Sequence, residues 1–84
     1  MTGMTVDETI RTVLVDHGRL AVPVESLGDD VDLFSAGMTS HASINVMLAL
    51  EDAFDFEFPE KMLKKSTFES IAAIRTGVTE LTEG

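Results

Sequence analysis

The sequence has no cysteine, no tryptophan and no tyrosine, and its 84 residues set only six lysines and arginines against fifteen acids. Without cysteine there is no disulfide framework, no thiolate nucleophile and no cysteine-based metal site, so any thiol chemistry requires an attached group. No stretch approaches the roughly eighteen consecutive apolar residues of a membrane span. The opening Met1-Thr-Gly-Met-Thr-Val-Asp-Glu8 lacks a basic region leading into an apolar run. The expectation is a soluble, cytoplasmic protein. A formal net charge of -9 repels nucleic acid and anionic membrane surfaces and favours basic protein surfaces, although acidity serving solubility alone gives the same composition. The length suits a single domain, 1–84, with a core near the minimum for independent stability.

Hydrophobic periodicity divides the chain into helices. Thr5-Val-Asp-Glu8 has the form of a capping box and leads into Val6, Ile10, Val13 and Leu14, which predicts helix one over 6–17, with Gly18 as its stop. His17 reads as a terminal residue complementing the helix dipole. From Gly18 to Met38 the period fails, and Pro23, Gly28 and three aspartates mark a long loop. Leu20, Val22, Val24, Leu27, Val31, Leu33 and Phe34 are available to pin that loop across the helices. An EF-hand reading of the aspartates fails, because counting from Asp29 places Val31, Leu33, Phe34 and Ser40 where ligands, a glycine and a glutamate belong. Helix two is predicted from Ser40 to Phe54. Beyond Pro59 comes a short turn over 60–64, then a last helix opened by the capping box Ser66-Thr-Phe-Glu69. Gly77 loosens that helix, and Thr79 to Gly84 is expected to fray. The fold class is all-α: an antiparallel bundle of three main helices and one short one, with a long loop between helices one and two.

The start of helix two is where chemistry concentrates. A helix N-terminus presents unpaired N–H groups and a partial positive charge, which suits a phosphate. Thr39 is placed to cap and Ser40 to be the first helical residue, with Gly37 giving backbone freedom and room for approach. Taken alone, a serine or threonine here is an ordinary cap. Ser40 and His41 cannot act as a nucleophile and base, since adjacent helical residues diverge around the axis, and His17 is the only other histidine. Few aromatics and no ligand cluster argue against an enzyme.

At about 100° per residue, Val46, Leu50 and Phe54 form a conventional buried stripe with Met47 beside it. His41, Ile44, Leu48, Glu51, Asp52 and Asp55 share a second face, apolar near Ser40 and acidic further on. That face is either a docking surface rimmed by carboxylates or ground covered by the long loop.

From Asp29 to about Ile74 the sequence resembles the acyl carrier protein superfamily. The resemblance rests on Asp32-Leu-Phe, Gly37-x-x-Ser40, Leu50-Glu-Asp52 with Phe54, Phe58-Pro59 and the capped final helix. It implies a non-catalytic carrier with an acyl-carrier-protein-like helical bundle, in which Ser40 receives 4'-phosphopantetheine from coenzyme A through a phosphopantetheinyl transferase. Thr39, His41, Ile44, Leu48, Glu51 and Asp52 then correspond to the surface that partner enzymes read.

Fatty-acid carriers typically have Asp-Ser-Leu where this chain has Thr39-Ser40-His41, and peptidyl carriers have two glycines where only Gly37 stands. The stretches Ala36–Ile44 and Glu51–Pro59 are most similar to the small bacterial aminoacyl carrier proteins. That similarity implies a small amino acid such as glycine or alanine held as a thioester. Loading would come from an amino acid:carrier protein ligase resembling a seryl-tRNA synthetase core, with delivery to an unidentified acceptor. A fatty-acyl or polyketide carrier is the alternative within the superfamily; an unmodified acidic adaptor binding a basic partner is the alternative outside it.

Overall fold

The computed structural model describes residues 5–83, so Met1–Met4 and Gly84, the outer ends of the expected 1–84 domain, lie outside the described residues. Three α-helices, α1 (Val6–Val13), α2 (Ser40–Phe54) and α3 (Ile71–Glu83), form a helical bundle with no strand among the described residues. Single 3-10 turns occupy Val24–Ser26, Glu60–Met62 and Lys65–Thr67. Ile10, Leu14, Leu33, Met38, Val46, Leu50, Ile71, Ile74 and Val78 are almost wholly buried and form one core.

The capping box of α1 forms as its spacing predicts: Glu8 N–H donates to Thr5 Oγ1 at 3.1 Å and Thr5 N–H to Glu8 Oε1 at 2.9 Å. The helix end differs from the expectation. The chain continues from α1 into a wider π-helical turn, Leu14–Gly18, and the left-handed residue is Arg19 (φ 53°) rather than Gly18. A π turn takes up one more residue than an α turn, which carries the stop one position onward.

The long loop is an ordered part of the core. Val24, Leu27 and Leu33 are buried, while Val22 and Val31 are exposed and do not pin it. Backbone bonds tie it to α3 and its approach: Leu33 N–H donates to Glu69 O at 2.8 Å, and Ala72 N–H to Asp29 O at 3.0 Å. Arg11 adds side-chain bonds to Val24 O (3.1 Å), Leu27 O (3.3 Å) and Asp29 Oδ1 (3.2 Å). Arg75 bonds to Asp29 Oδ2 at 3.1 Å and to Asp7. The hydrogen bond to Asp7, then that to Asp29, hold the Arg75 pKa above its ordinary value. Asp29 therefore serves as a hinge pin between α1, the loop and α3.

The last helix begins later than the Ser66 capping box predicts. Lys65–Thr67 is a 3-10 turn, and α3 opens at Ile71 with Ser70 Oγ accepting from Ala73 N–H at 3.0 Å. The cause lies in tertiary contacts: Glu69 O is taken by the loop, and Phe68 is buried edge-on against Phe58 with ring centroids 5.2 Å apart. Gly77 does not loosen the helix. It is buried where an added Cβ would stand 3.0 Å from Met62 Cε, and α3 continues through Val78 and Leu81, both packed on the core, to Glu83. The segment from Thr79 is therefore helical to Glu83 over the described residues.

Candidate functional site

The loop closes onto α2 through a tight series of turns. Asp32 Oδ1 accepts from Phe34 N–H at 2.9 Å, Met38 N–H donates to Leu33 O at 3.0 Å, and the buried Met38 side chain anchors the residue just before the cap. Gly37 has φ +118°, and a Cβ there would lie 2.9 Å from Ala21 N. Glycine is thus required both by conformation and by the close approach of two loop segments.

Thr39 caps α2: its Oγ1 accepts from Ala42 N–H at 3.0 Å and its carbonyl from Ser43 N–H at 2.9 Å. The Ser40 and His41 amides take no partner among the described residues. Ser40 is the first residue of α2 and is exposed; its carbonyl accepts from Ser43 Oγ at 2.6 Å, and its own hydroxyl is bonded to no described residue. An accessible hydroxyl beside two unclaimed N–H donors at a helix start is an arrangement that a phosphodiester on that oxygen fits. His41 is exposed and sits at the next helical position.

Along α2, Val46 and Leu50 are buried as expected, with Phe54 and Met47 half-buried beside them. Ile44 and Leu48 are 52% and 53% exposed, so the long loop does not cover the second face. Asp52 is exposed on the same face. Glu51 is partly turned inward: its Oε2 accepts from Phe58 N–H at 2.9 Å and fastens the chain that leaves α2. Asp55, in the left-handed region at φ 57°, ends the helix.

A feature that periodicity did not reveal is a cleft of about 430 Å³ opening at Ser40. Phe34, Ile44, Met47, Leu63 and Phe68 form its apolar walls, and Ser43, Lys64 and Lys65 its polar edge. Lys65 Nζ lies 4.9 Å from the centroid of the Phe34 ring. The signal in the sequence was the lysine distribution: Lys61, Lys64 and Lys65 are the only lysines of an acidic chain and fall within five residues.

Residues 8–74 match the family model described as phosphopantetheine attachment site. A protein from Agrobacterium fabrum named aminoacyl carrier protein is 43% identical over 76 residues, 90% of this chain and 92% of that protein. Among solved structures, the chain resembles one in a crystal structure of an engineered Bradyrhizobium japonicum glycine:[carrier protein] ligase complexed with carrier protein from Agrobacterium tumefaciens and ATP. The TM-score is 0.89 at 42% identity, covering 92% of this chain and 100% of the matched one. A solution structure from A. tumefaciens matches with TM-score 0.73 at 42% identity, over 93% and 94% of the two chains.

Proposed function

The chain belongs to the phosphopantetheine attachment-site family, and from that premise we propose that Ser40 is its point of attachment and that the whole chain acts as one aminoacyl carrier domain. The observation that carries the assignment is the exposed, unengaged Ser40 hydroxyl at the start of α2, inside the matched segment. In the transfer, Ser40 Oγ attacks the pantetheine-bearing phosphorus of coenzyme A. The bond to the adenosine-bearing phosphate breaks, adenosine bisphosphate leaves, and the hydroxyl proton passes to a base on the transferase. The attached group supplies the thiol that a cysteine-free chain lacks. An amino acid held there as a thioester has a carbonyl activated by its leaving thiolate. The protein itself is a carrier and does not catalyse these steps.

The cargo reading is a small amino acid, glycine or alanine. It rests on the 43% identity to a protein named aminoacyl carrier protein, and on likeness to a structure containing a glycine:[carrier protein] ligase and its carrier. A ligase of that kind, with a fold resembling a seryl-tRNA synthetase core, is the loading partner, and a phosphopantetheinyl transferase the modifying one. Both act in the cytoplasm. No helix among the described residues is long and apolar enough to cross a membrane. Thr39, His41, Ile44, Leu48 and Asp52 are read as the partner-facing surface, Glu51 contributing the carboxylate oxygen not held by Phe58.

The test is to incubate apo-protein with coenzyme A and a broad-specificity transferase, then measure intact mass. Wild type gains one pantetheine arm and Ser40→Ala gains none. ATP-dependent charging of the holo-protein with glycine or alanine supports the cargo reading. Charging by malonyl transfer in its place overturns that reading and leaves a fatty-acyl or polyketide carrier.

A further inference from the structure

We propose that Lys64 and Lys65 pair with the phosphodiester linking the arm to Ser40, and so set how the arm leaves the protein along the cleft beside α2. The proposal rests on the reading of Ser40 as the attachment residue and concerns two side chains to which that reading gives no role.

Of six basic residues, Arg11 and Arg75 are consumed by Asp7 and Asp29. All three lysines lie between positions 61 and 65, and two of them edge the cleft that opens at Ser40. Among the described residues every ion pair within 4.0 Å belongs to Arg11 or Arg75, so neither Lys64 nor Lys65 has a carboxylate partner. In a chain with fifteen acids, two adjacent lysines without a carboxylate within ion-pair distance among the described residues mark a place where negative charge is to be supplied from elsewhere.

Lys65 is also held in position. Its ammonium stands over the Phe34 ring at 4.9 Å, an attraction that fixes the cation at the cleft wall while leaving its N–H donors free. Ser43 does not compete for the anion, because its hydroxyl already donates to Ser40 O. A phosphodiester carries a charge that does not titrate near neutrality, and a lysine ammonium meets it as a point charge on a flexible stem. Neither side chain carries the fold. Both are exposed, and the backbone bonds of this segment, Thr67 N–H to Lys64 O and Phe68 N–H to Lys65 O, are independent of side-chain identity. Solvent-exposed pairs of this kind are weak and screened by salt, so each lysine should change arm docking by up to about fivefold at low ionic strength.

The experiment uses holo-protein, with intact mass confirming the arm, and follows its phosphodiester by phosphorus NMR through a sodium chloride titration to about 1 M, where screening is nearly complete. Wild type should show a resonance that moves with salt. Lys64→Gln with Lys65→Gln should start near the wild-type high-salt position and barely move. Lys64→Arg with Lys65→Arg should keep most of the salt response, and Lys61→Gln, outside the cleft lining, should behave as wild type. Holo-protein of the double glutamine variant with an unaltered salt profile would overturn the lysine proposal and leave the Ser40 reading intact. Wild type that gains no arm from an active transferase overturns the Ser40 reading and the lysine proposal with it.

Discussion

Gly37→Ala tests whether the loop geometry that delivers Ser40 depends on a single missing side chain. At φ +118° the alanine is strained, at a cost of about 1–3 kcal/mol. Its Cβ would also stand 2.9 Å from Ala21 N, the amide that donates to Ala36 O. That contact is shorter than any side chain tolerates, so Ala21 must move and its hydrogen bond, worth about 1 kcal/mol, is lost or stretched. The expected loss is about 2–4 kcal/mol, against a total stability of about 4–13 kcal/mol for a domain of this length. In urea denaturation with a slope near 1 kcal/mol per molar, the midpoint should fall by about 2 M or more. Gly28→Ala is the matched control: a Cβ there meets nothing closer than Val31 Cγ2 at 3.9 Å, and stability should stay within about 0.5 kcal/mol or rise slightly. At a temperature where both remain folded, transfer to Ser40 should slow in the Gly37 variant only. A Gly37→Ala midpoint within about 0.3 M of wild type would refute the claim that this contact holds the loop.

Leu48→Glu should leave the urea midpoint nearly unchanged and weaken binding to the loading ligase, since Leu48 is 53% exposed; an unfolded variant would return Leu48 to the core. Leu50→Ala, two residues on but fully buried, should cost about 2–5 kcal/mol in the same denaturation. Ser70→Ala should cost about 1 kcal/mol by removing the acceptor for Ala73 N–H, whereas Ser66→Ala should be close to neutral; the reverse order would reinstate Ser66 as the cap of α3. Glu51→Ala should lower stability by about 1–3 kcal/mol through the Phe58 amide it leaves unpaired, while Asp52→Ala should change only partner binding.

Legibility from sequence followed the range of the interactions. The cap of α1, the span of α2 and its buried stripe depend on residues three or four apart, and the spacing of Thr5 and Glu8 or of Val46 and Leu50 exposes them directly. The start of α3 does not. Ser66 and Glu69 have the right local form, yet Glu69 O is held by Leu33, thirty-odd positions earlier, and no local pattern records that bond. The fate of Thr79–Glu83 was hidden for the same reason, because Gly77 looks like a weak point until Met62 is seen filling the space above it. The placement of Ser40 as the exposed first residue of α2 was legible because cap, glycine and helix start are all local. The cleft beside it was not, since Phe34, Met47 and Phe68 come from three separate segments.

Charge is arranged differently on the two sides of Ser40. Arg11 and Arg75 neutralise Asp7 and Asp29 within the frame, where they bind the loop to two helices and are not available to the acids of α2. Lys64 and Lys65 stand at the cleft edge. What remains exposed along α2 is Ile44 and Leu48, followed toward the C-terminal end by Asp52 and Asp55 without a basic partner among the described residues. With the arm on Ser40 as proposed, an anionic tether would be drawn toward the lysine side and a basic protein surface toward the carboxylate side, so that the same helix could hold its arm and meet an enzyme without the two competing for one charge. Placing the acids of α2 within reach of Lys64 and Lys65 would cancel both attractions. Between Asp55 and the lysines the chain passes through Phe56 and Phe58, whose rings meet edge to face at 4.8 Å, and no acid of α2 forms an ion pair with a lysine among the described residues.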